Sequence, residues 1–104
     1  MSSFVDAEIQ SGKKVVVFSK TYCPYCSRCK KVLQAHIGKE ITAADFKWIE
    51  MDNMSNCSEI QAYLRKITGA SSVPRVFING KSVGGCDETT ALDKSGKLSA
   101  MLKA

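Results

Sequence analysis

The chain has 104 residues, 44% of them hydrophobic, with 15 Lys and Arg set against 10 Asp and Glu. That length suits one domain, residues 1–104, and the apolar share excludes a mainly disordered or collagenous chain. The longest apolar run, Val15-Val16-Val17-Phe18, is four residues long, against the ~20 that a spanning helix needs.

The opening MSSFVDAEIQ has neither a basic leader nor an apolar stretch of the secretory kind, so a cytoplasmic location without membrane attachment is expected. Phe4, Val5, Glu8 and Ile9 form an amphipathic pattern that Gly12 ends, which predicts a short helix. Residues 14–19 place three valines and a phenylalanine in a row, the signature of a strand covered on both faces. Pro24 suits a first helical turn, and no breaker follows before Ile37, so a helix is predicted over residues 24–37. Cys26, Cys29, Leu33 and Ile37 share one side of it. Phe46, Trp48, Ile49 and Met51 predict a second strand. Ser55 or Asn56 can cap a helix running to about Thr68, with Ile60, Leu64 and Ile67 at helical spacing.

Beyond Gly69, residues 73–78 read as a strand, Asn79-Gly80 as a hairpin turn and residues 81–84 as the returning strand. Gly84-Gly85 breaks that strand, and a helix begins at Asp87 or Thr89 and runs through Leu92. Leu98, Met101 and Leu102 predict a last amphipathic helix after Gly96. One β-α-β crossover followed by a hairpin gives an α/β fold: a four-stranded mixed sheet with helices on both faces.

Five cysteines is many for this length, and an odd number fits poorly with a disulfide scaffold. Three of them fall within Cys23-Pro24-Tyr25-Cys26-Ser27-Arg28-Cys29, which points to chemistry or metal binding. From Ile9 to Lys39 there is no Asp or Glu, whereas Lys13, Lys14, Lys20, Arg28, Lys30, Lys31 and Lys39 are basic. The cluster therefore lies in a positive stretch that favours a thiolate and an anionic substrate. No basic-aromatic stripe or finger spacing accompanies the charge, so no nucleic-acid partner is expected.

Placement gives the Cys-x-x-Cys its force. Cys23 follows a buried strand and precedes a helix, where free N–H groups and the positive helix end converge on its sulfur. Thiols in that setting ionise readily and attack disulfides. Cys26, one turn on, is more buried and suited to resolving a mixed disulfide. A ferredoxin-like reading of Cys23, Cys26 and Cys29 fails for want of the following Cys-Pro, and helical rotation swings Cys29 away from Cys23. Cys29 reads as core, Cys57 as an incidental surface thiol and His36 as a helix-surface residue, and no metal site is expected.

The run Lys20-Thr21-Tyr22-Cys23-Pro24-Tyr25-Cys26 resembles the signature of dithiol glutaredoxins. Ser72-Val73-Pro74 is similar to that family's Thr-Val-Pro, and Gly84-Gly85-Cys86-Asp87-Glu88 to its Gly-Gly glutathione motif. The resemblance implies a thioredoxin fold and a glutathione-dependent thiol–disulfide oxidoreductase. It makes Cys23 the nucleophile and Cys26 the resolving thiol. Lys20 and Gln61 would meet the glycine end of glutathione. Val73, set by a cis peptide before Pro74 and flanked by Ser72, would pair with the cysteinyl part, with Tyr25 as a wall. Cys86, Asp87 and Glu88 would receive the γ-glutamyl end.

Ser72 stands in place of the family's Thr, and Glu88 where many members have a second Asp. Partners would be glutathione and glutathionylated or disulfide-containing proteins, met by a monomer with no tightly bound cofactor. A glutathione-bridged cluster between two subunits stays open as an alternative. Thioredoxin is the rival within the same chemistry, but it would call for Trp at position 22 and Gly-Pro at positions 24–25.

Overall fold

A computed structural model describes residues 2–104, with side chains from Phe4 onward. Its elements are α1 (Ser2–Ile9), β1 (Val15–Ser19), α2 (Pro24–Gln34), β2 (Phe46–Glu50), α3 (Cys57–Thr68), β3 (Arg75–Ile78), β4 (Lys81–Gly84), α4 (Cys86–Lys94) and α5 (Lys97–Lys103). The strand order is β2-β1-β3-β4. β1 runs parallel to β2 and antiparallel to β3, and β3 pairs antiparallel with β4. This is the expected four-stranded mixed sheet.

The β1 pleat explains why its apolar run is unbroken. Val15 and Val17 face a core built with Cys29, Leu33, Leu98 and Leu102. Val16 and Phe18 face the opposite core with Val5, Ile60, Leu64 and Phe77. Alternate side chains leave a strand on opposite faces, so a strand with helices on both sides must be apolar at every position. Phe18 and Phe77 meet edge-to-face at 5.9 Å, a geometry worth about 0.5–1.5 kcal/mol beyond burial. Phe46 and Trp48 of β2 are only partly buried, packed against the α2-side core.

Several expected boundaries move. The second helix ends at Gln34, not Ile37, because the chain turns and pairs Ile37 with Ile41 in a one-residue bridge. Met51 leaves the strand for a 3-10 turn, Met51–Asn53, and a second such turn, Ala43–Asp45, precedes β2. The fourth helix starts at Cys86, ahead of Asp87 and Thr89, because Glu88 reaches back to the Gly85 amide at 2.8 Å and completes a capping arrangement. Ile67, expected on the apolar face of α3, is exposed. None of the helices among the described residues is long and apolar enough to cross a membrane.

His36 departs most from its expected place. It lies past the end of α2 and is held between Glu40 and Asp93, each at 2.7 Å, which ties the α2–β2 connection to α4. Burial of the ring disfavours its charge, but the two carboxylates outweigh it and raise its pKa above the ordinary 6.5. The Ser99 hydroxyl and the His36 ring hold Glu40 down at about 2.

A group whose pKa is raised on folding stabilises fully below its unfolded value and loses that contribution as pH rises through the folded value. The melting temperature of the native chain should therefore exceed that of His36→Gln most at pH 6 and converge on it as the pH is taken through and above the ring's folded value. A constant gap up to pH 9 would contradict this. Glu40 has the opposite sign: its contribution is present above about 4.5 and is lost as pH falls toward about 2.

Candidate functional site

Cys23 is half-buried and occupies the N-cap of α2 with extended backbone, φ −98° and ψ 114°. Pro24 follows at the first helical position, where a missing N–H costs nothing. The Cys26 amide donates to Cys23 Sγ at 3.2 Å, so the sulfur takes the capping role that an oxygen usually fills. An N–H aimed at sulfur from a helix start stabilises negative charge there. On its other side the Cys23 thiol faces the Val73 carbonyl oxygen at 3.7 Å, to which it can donate when protonated.

Cys26 is buried, and burial, with Cys23 beside it, pushes its thiol up to about 12. The two cysteines thus occupy different electrostatic settings one helical turn apart. Cys29 is wholly buried in the α2-side core, and burial likewise raises its thiol to about 12. Cys57, expected at the surface, is half-buried against the α1–α3 core.

A groove of about 310 Å³ runs from Tyr25 along Ser72, Val73, Pro74 and Arg75 to Gly85, Cys86, Asp87 and Glu88. Its wall is the loop into β3, where the Val73–Pro74 peptide is cis. Its far end is the first turn of α4, where free backbone N–H groups favour an anion. Cys23 stands at the near end, against Val73. Seven of the residues expected to meet glutathione therefore line one groove: Tyr25, Ser72, Val73, Pro74, Cys86, Asp87 and Glu88. Lys20 and Gln61 lie outside its lining. The Gln61 side-chain amide donates to the Ser71 carbonyl at 2.8 Å and steadies the loop from behind.

The Glu88 carboxylate is engaged by the Gly85 amide, which lowers its pKa, with Arg75 nearby. Asp87 and Glu88 are both exposed. Both glycines before α4 are needed for this packing. A Cβ on Gly85 would come within 2.7 Å of Arg75 Nη2 and 3.2 Å of the Pro74 carbonyl.

Two residues went unnoticed in the sequence. Arg75, whose Nε donates to the Pro74 carbonyl at 3.0 Å, lines the groove directly after the motif proline. Its adjacency to that proline was the available signal. Asp52 had none. From the 3-10 turn after β2, it accepts from the Thr21 amide at 3.0 Å and from the Thr21 hydroxyl at 2.5 Å, which fastens the loop before Cys23. These Thr21 bonds lower its pKa, with Lys20 adding to the effect.

Asp52→Ala should cut turnover about tenfold through a misplaced nucleophile loop. Asp52→Asn, which keeps acceptor capacity, should lose much less. Steady-state rates with glutathione as donor would show this, and equal losses would point to charge in place of geometry.

A larger hollow of about 560 Å³ lies at the opposite end of the sheet, beside Gly12 and Gly80. Among its cations, Lys13 and Lys14 are already bonded to the carbonyls of Ala44 and Ala104. It contains no cysteine, so the smaller groove beside Cys23 is the reactive one.

The Glutaredoxin family model matches residues 15–83, which span the nucleophile loop, the cis-proline loop and the hairpin. The chain belongs to the glutaredoxin family. It is 50% identical over 95 residues to Glutaredoxin-C2 of Arabidopsis thaliana, covering 91% of this chain and 80% of that one. Among solved structures it resembles oxidized glutaredoxin 2 from Chlamydomonas reinhardtii, with TM-score 0.84, 42% identity, and coverage of 97% and 89% of the two chains. It also resembles a buckwheat glutaredoxin–glutathione complex, with TM-score 0.85, 42% identity, and coverage of 96% and 84%. Glutaredoxins are glutathione-dependent oxidoreductases, and this chain is an enzyme of that class with the thioredoxin-like fold that its motifs implied.

Proposed function

We propose that this glutaredoxin reduces protein–glutathione mixed disulfides through Cys23 alone, and protein disulfides through Cys23 with Cys26. The observation that carries the reading is the Cys23 sulfur at the mouth of the groove, with the Cys26 amide 3.2 Å away and the groove wall at Val73 beside it. A glutathione seated along the cis-proline loop presents its own sulfur to Cys23. Its γ-glutamyl end meets Asp87 and the α4 amides, and the Arg75 guanidinium lies in the same wall.

Cys23, as thiolate, attacks the glutathione sulfur. The S–S bond to the protein breaks, and the departing protein thiolate takes up a proton. A glutathione thiolate then attacks the Cys23–glutathione disulfide, which restores the Cys23 thiolate and releases glutathione disulfide. The incoming glutathione is thus the reductant: its thiol sulfur enters a disulfide as the protein sulfur leaves one. Cys26 keeps its proton at neutral pH, since its thiol lies near 12. It is a slow competitor, which leaves glutathione time to complete the cycle. For a protein disulfide the first adduct lacks the tripeptide, and Cys26 resolves it into an intramolecular Cys23–Cys26 bond.

The test is turnover of a glutathionylated protein with glutathione, glutathione reductase and NADPH, compared with thioredoxin reductase in place of the first pair. Consumption of NADPH only with glutathione is expected. Equal or faster turnover with thioredoxin reductase would sink the reading.

A further inference from the structure

We propose that the surface beside Cys23 formed by Tyr22, Tyr25 and Arg28, and continued from Arg28 by Lys94, docks the protein half of the mixed disulfide and selects acidic segments around the target cysteine. This rests on the deglutathionylation reading above. A groove of about 310 Å³ accommodates a tripeptide, so the attached protein must be met outside it.

The surface there is unusual for this chain. Among the described residues, the large apolar side chains standing exposed are Tyr22 at 71%, Tyr25 at 53% and Ile67 at 41%. Two of these three flank the nucleophile. Single exposed apolar residues are ordinary, but a pair of rings framing a reactive atom is the composition of an interface.

Each ring also carries a cation. Lys20 Nζ lies 5.9 Å from the Tyr22 centroid, and the Arg28 guanidinium 5.0 Å from the Tyr25 centroid, both within cation–π range. Arg28 is exposed, and a guanidinium can take a carboxylate in a forked contact. The salt bridges found among the described residues belong to His36, so neither Arg28 nor Lys94 is held in an ion pair there.

Beyond Arg28 a second hollow, of about 440 Å³, continues from the groove. It shares Cys86 and Asp87 with the groove and is bordered by Arg28, Thr90 and Lys94. Two cations there face one acid, Asp87, which the glutathione ammonium would occupy. The rim left for the protein is therefore aromatic and positive, and an acidic stretch of polypeptide complements it.

Two ten-residue peptides test this, each with one glutathionylated cysteine, flanked in one by Asp and Glu and in the other by Lys. They are assayed with the full chain, glutathione and glutathione reductase, beside the mixed disulfide of glutathione and mercaptoethanol. The ratio of kcat/KM, acidic over basic peptide, should be about 10 at low ionic strength and fall toward 1 at about 0.5 M salt. Arg28→Glu should bring the ratio below 1, and Lys94→Glu should reduce it. A loss common to both peptides cancels in the ratio.

A native ratio near 1, or one that Arg28→Glu leaves unchanged, overturns the proposal. So does a rim that serves a second copy of the chain, seen as a dimer in sedimentation that Arg28→Glu dissolves while the native ratio stays at 1. Failure to turn over the mercaptoethanol mixed disulfide would instead overturn the deglutathionylation reading itself, and the docking surface with it.

Discussion

Cys23→Ser should lower turnover of every disulfide substrate by about three orders of magnitude or more, whereas Cys26→Ser should remove only the reduction of protein disulfides. The asymmetry follows from the surroundings of the two sulfurs. Cys23 is half-buried at a helix start with an amide N–H directed at it. A serine there cannot form the anion at neutral pH and cannot be carried as a disulfide.

Cys26 contributes to the site in two separable ways. Its backbone amide supports the Cys23 sulfur, and its buried thiol, pushed up to about 12, is the resolving group in the proposed reduction of protein disulfides. Serine keeps the amide and removes only the thiol. Deglutathionylation in the coupled assay should therefore survive in Cys26→Ser, even rising as the competing intramolecular disulfide disappears. Equal losses in both assays would mean that the roles are exchanged or shared.

Gly84→Ala should be the most damaging single methyl added near the groove. Gly84 has φ +109°, a conformation that side chains rarely adopt, and a Cβ there would meet the Glu88 Cγ at 2.8 Å. The backbone conflict alone costs about 1–3 kcal/mol. Pushing Glu88 aside also frees the Gly85 amide that it caps, which loosens the first turn of α4 where the groove ends.

A fall in melting temperature of about 5–15 °C is expected, with KM for a glutathionylated substrate rising about tenfold. Adding Glu88→Ala removes the Cγ and Cδ contacts but leaves the Cβ at 2.9 Å and the unfavourable φ, so it should restore only a small part of the stability and little of the affinity. An unchanged melting temperature in Gly84→Ala would show that the strand end relaxes freely.

The path from sequence to site was short where contacts are local. Cys23, Pro24 and Cys26 lie within four positions, and the cap, the helix start and the paired thiols follow from their spacing. The alternation hidden in Val15-Val16-Val17-Phe18 implies a strand between two layers, and those residues do lie alternately in two cores. Other features depend on partners distant in the chain. Asp52 acts on Thr21 across 31 positions, and His36 meets Asp93 across 57. Nothing in the local pattern of either residue announces its partner. The start of α4 differs from its expected place for a nearer reason: Glu88 caps through its side chain, so the helix begins at Cys86 directly after glycine.

The amino-acid sequence by itself determined the chemistry and the layers. Helix starts, strand alternation and the spacing of two thiols are set by interactions over a few residues, and such interactions can be read along one dimension. Tertiary structure decided which of the candidate residues share a groove, leaving Lys20 and Gln61 outside its lining and bringing in Arg75. It also brought Lys94 beside Arg28 at the hollow that continues the groove. Proximity between α2, the loop into β3 and α4 exists only once the sheet has brought their ends together, and no local preference encodes that distance.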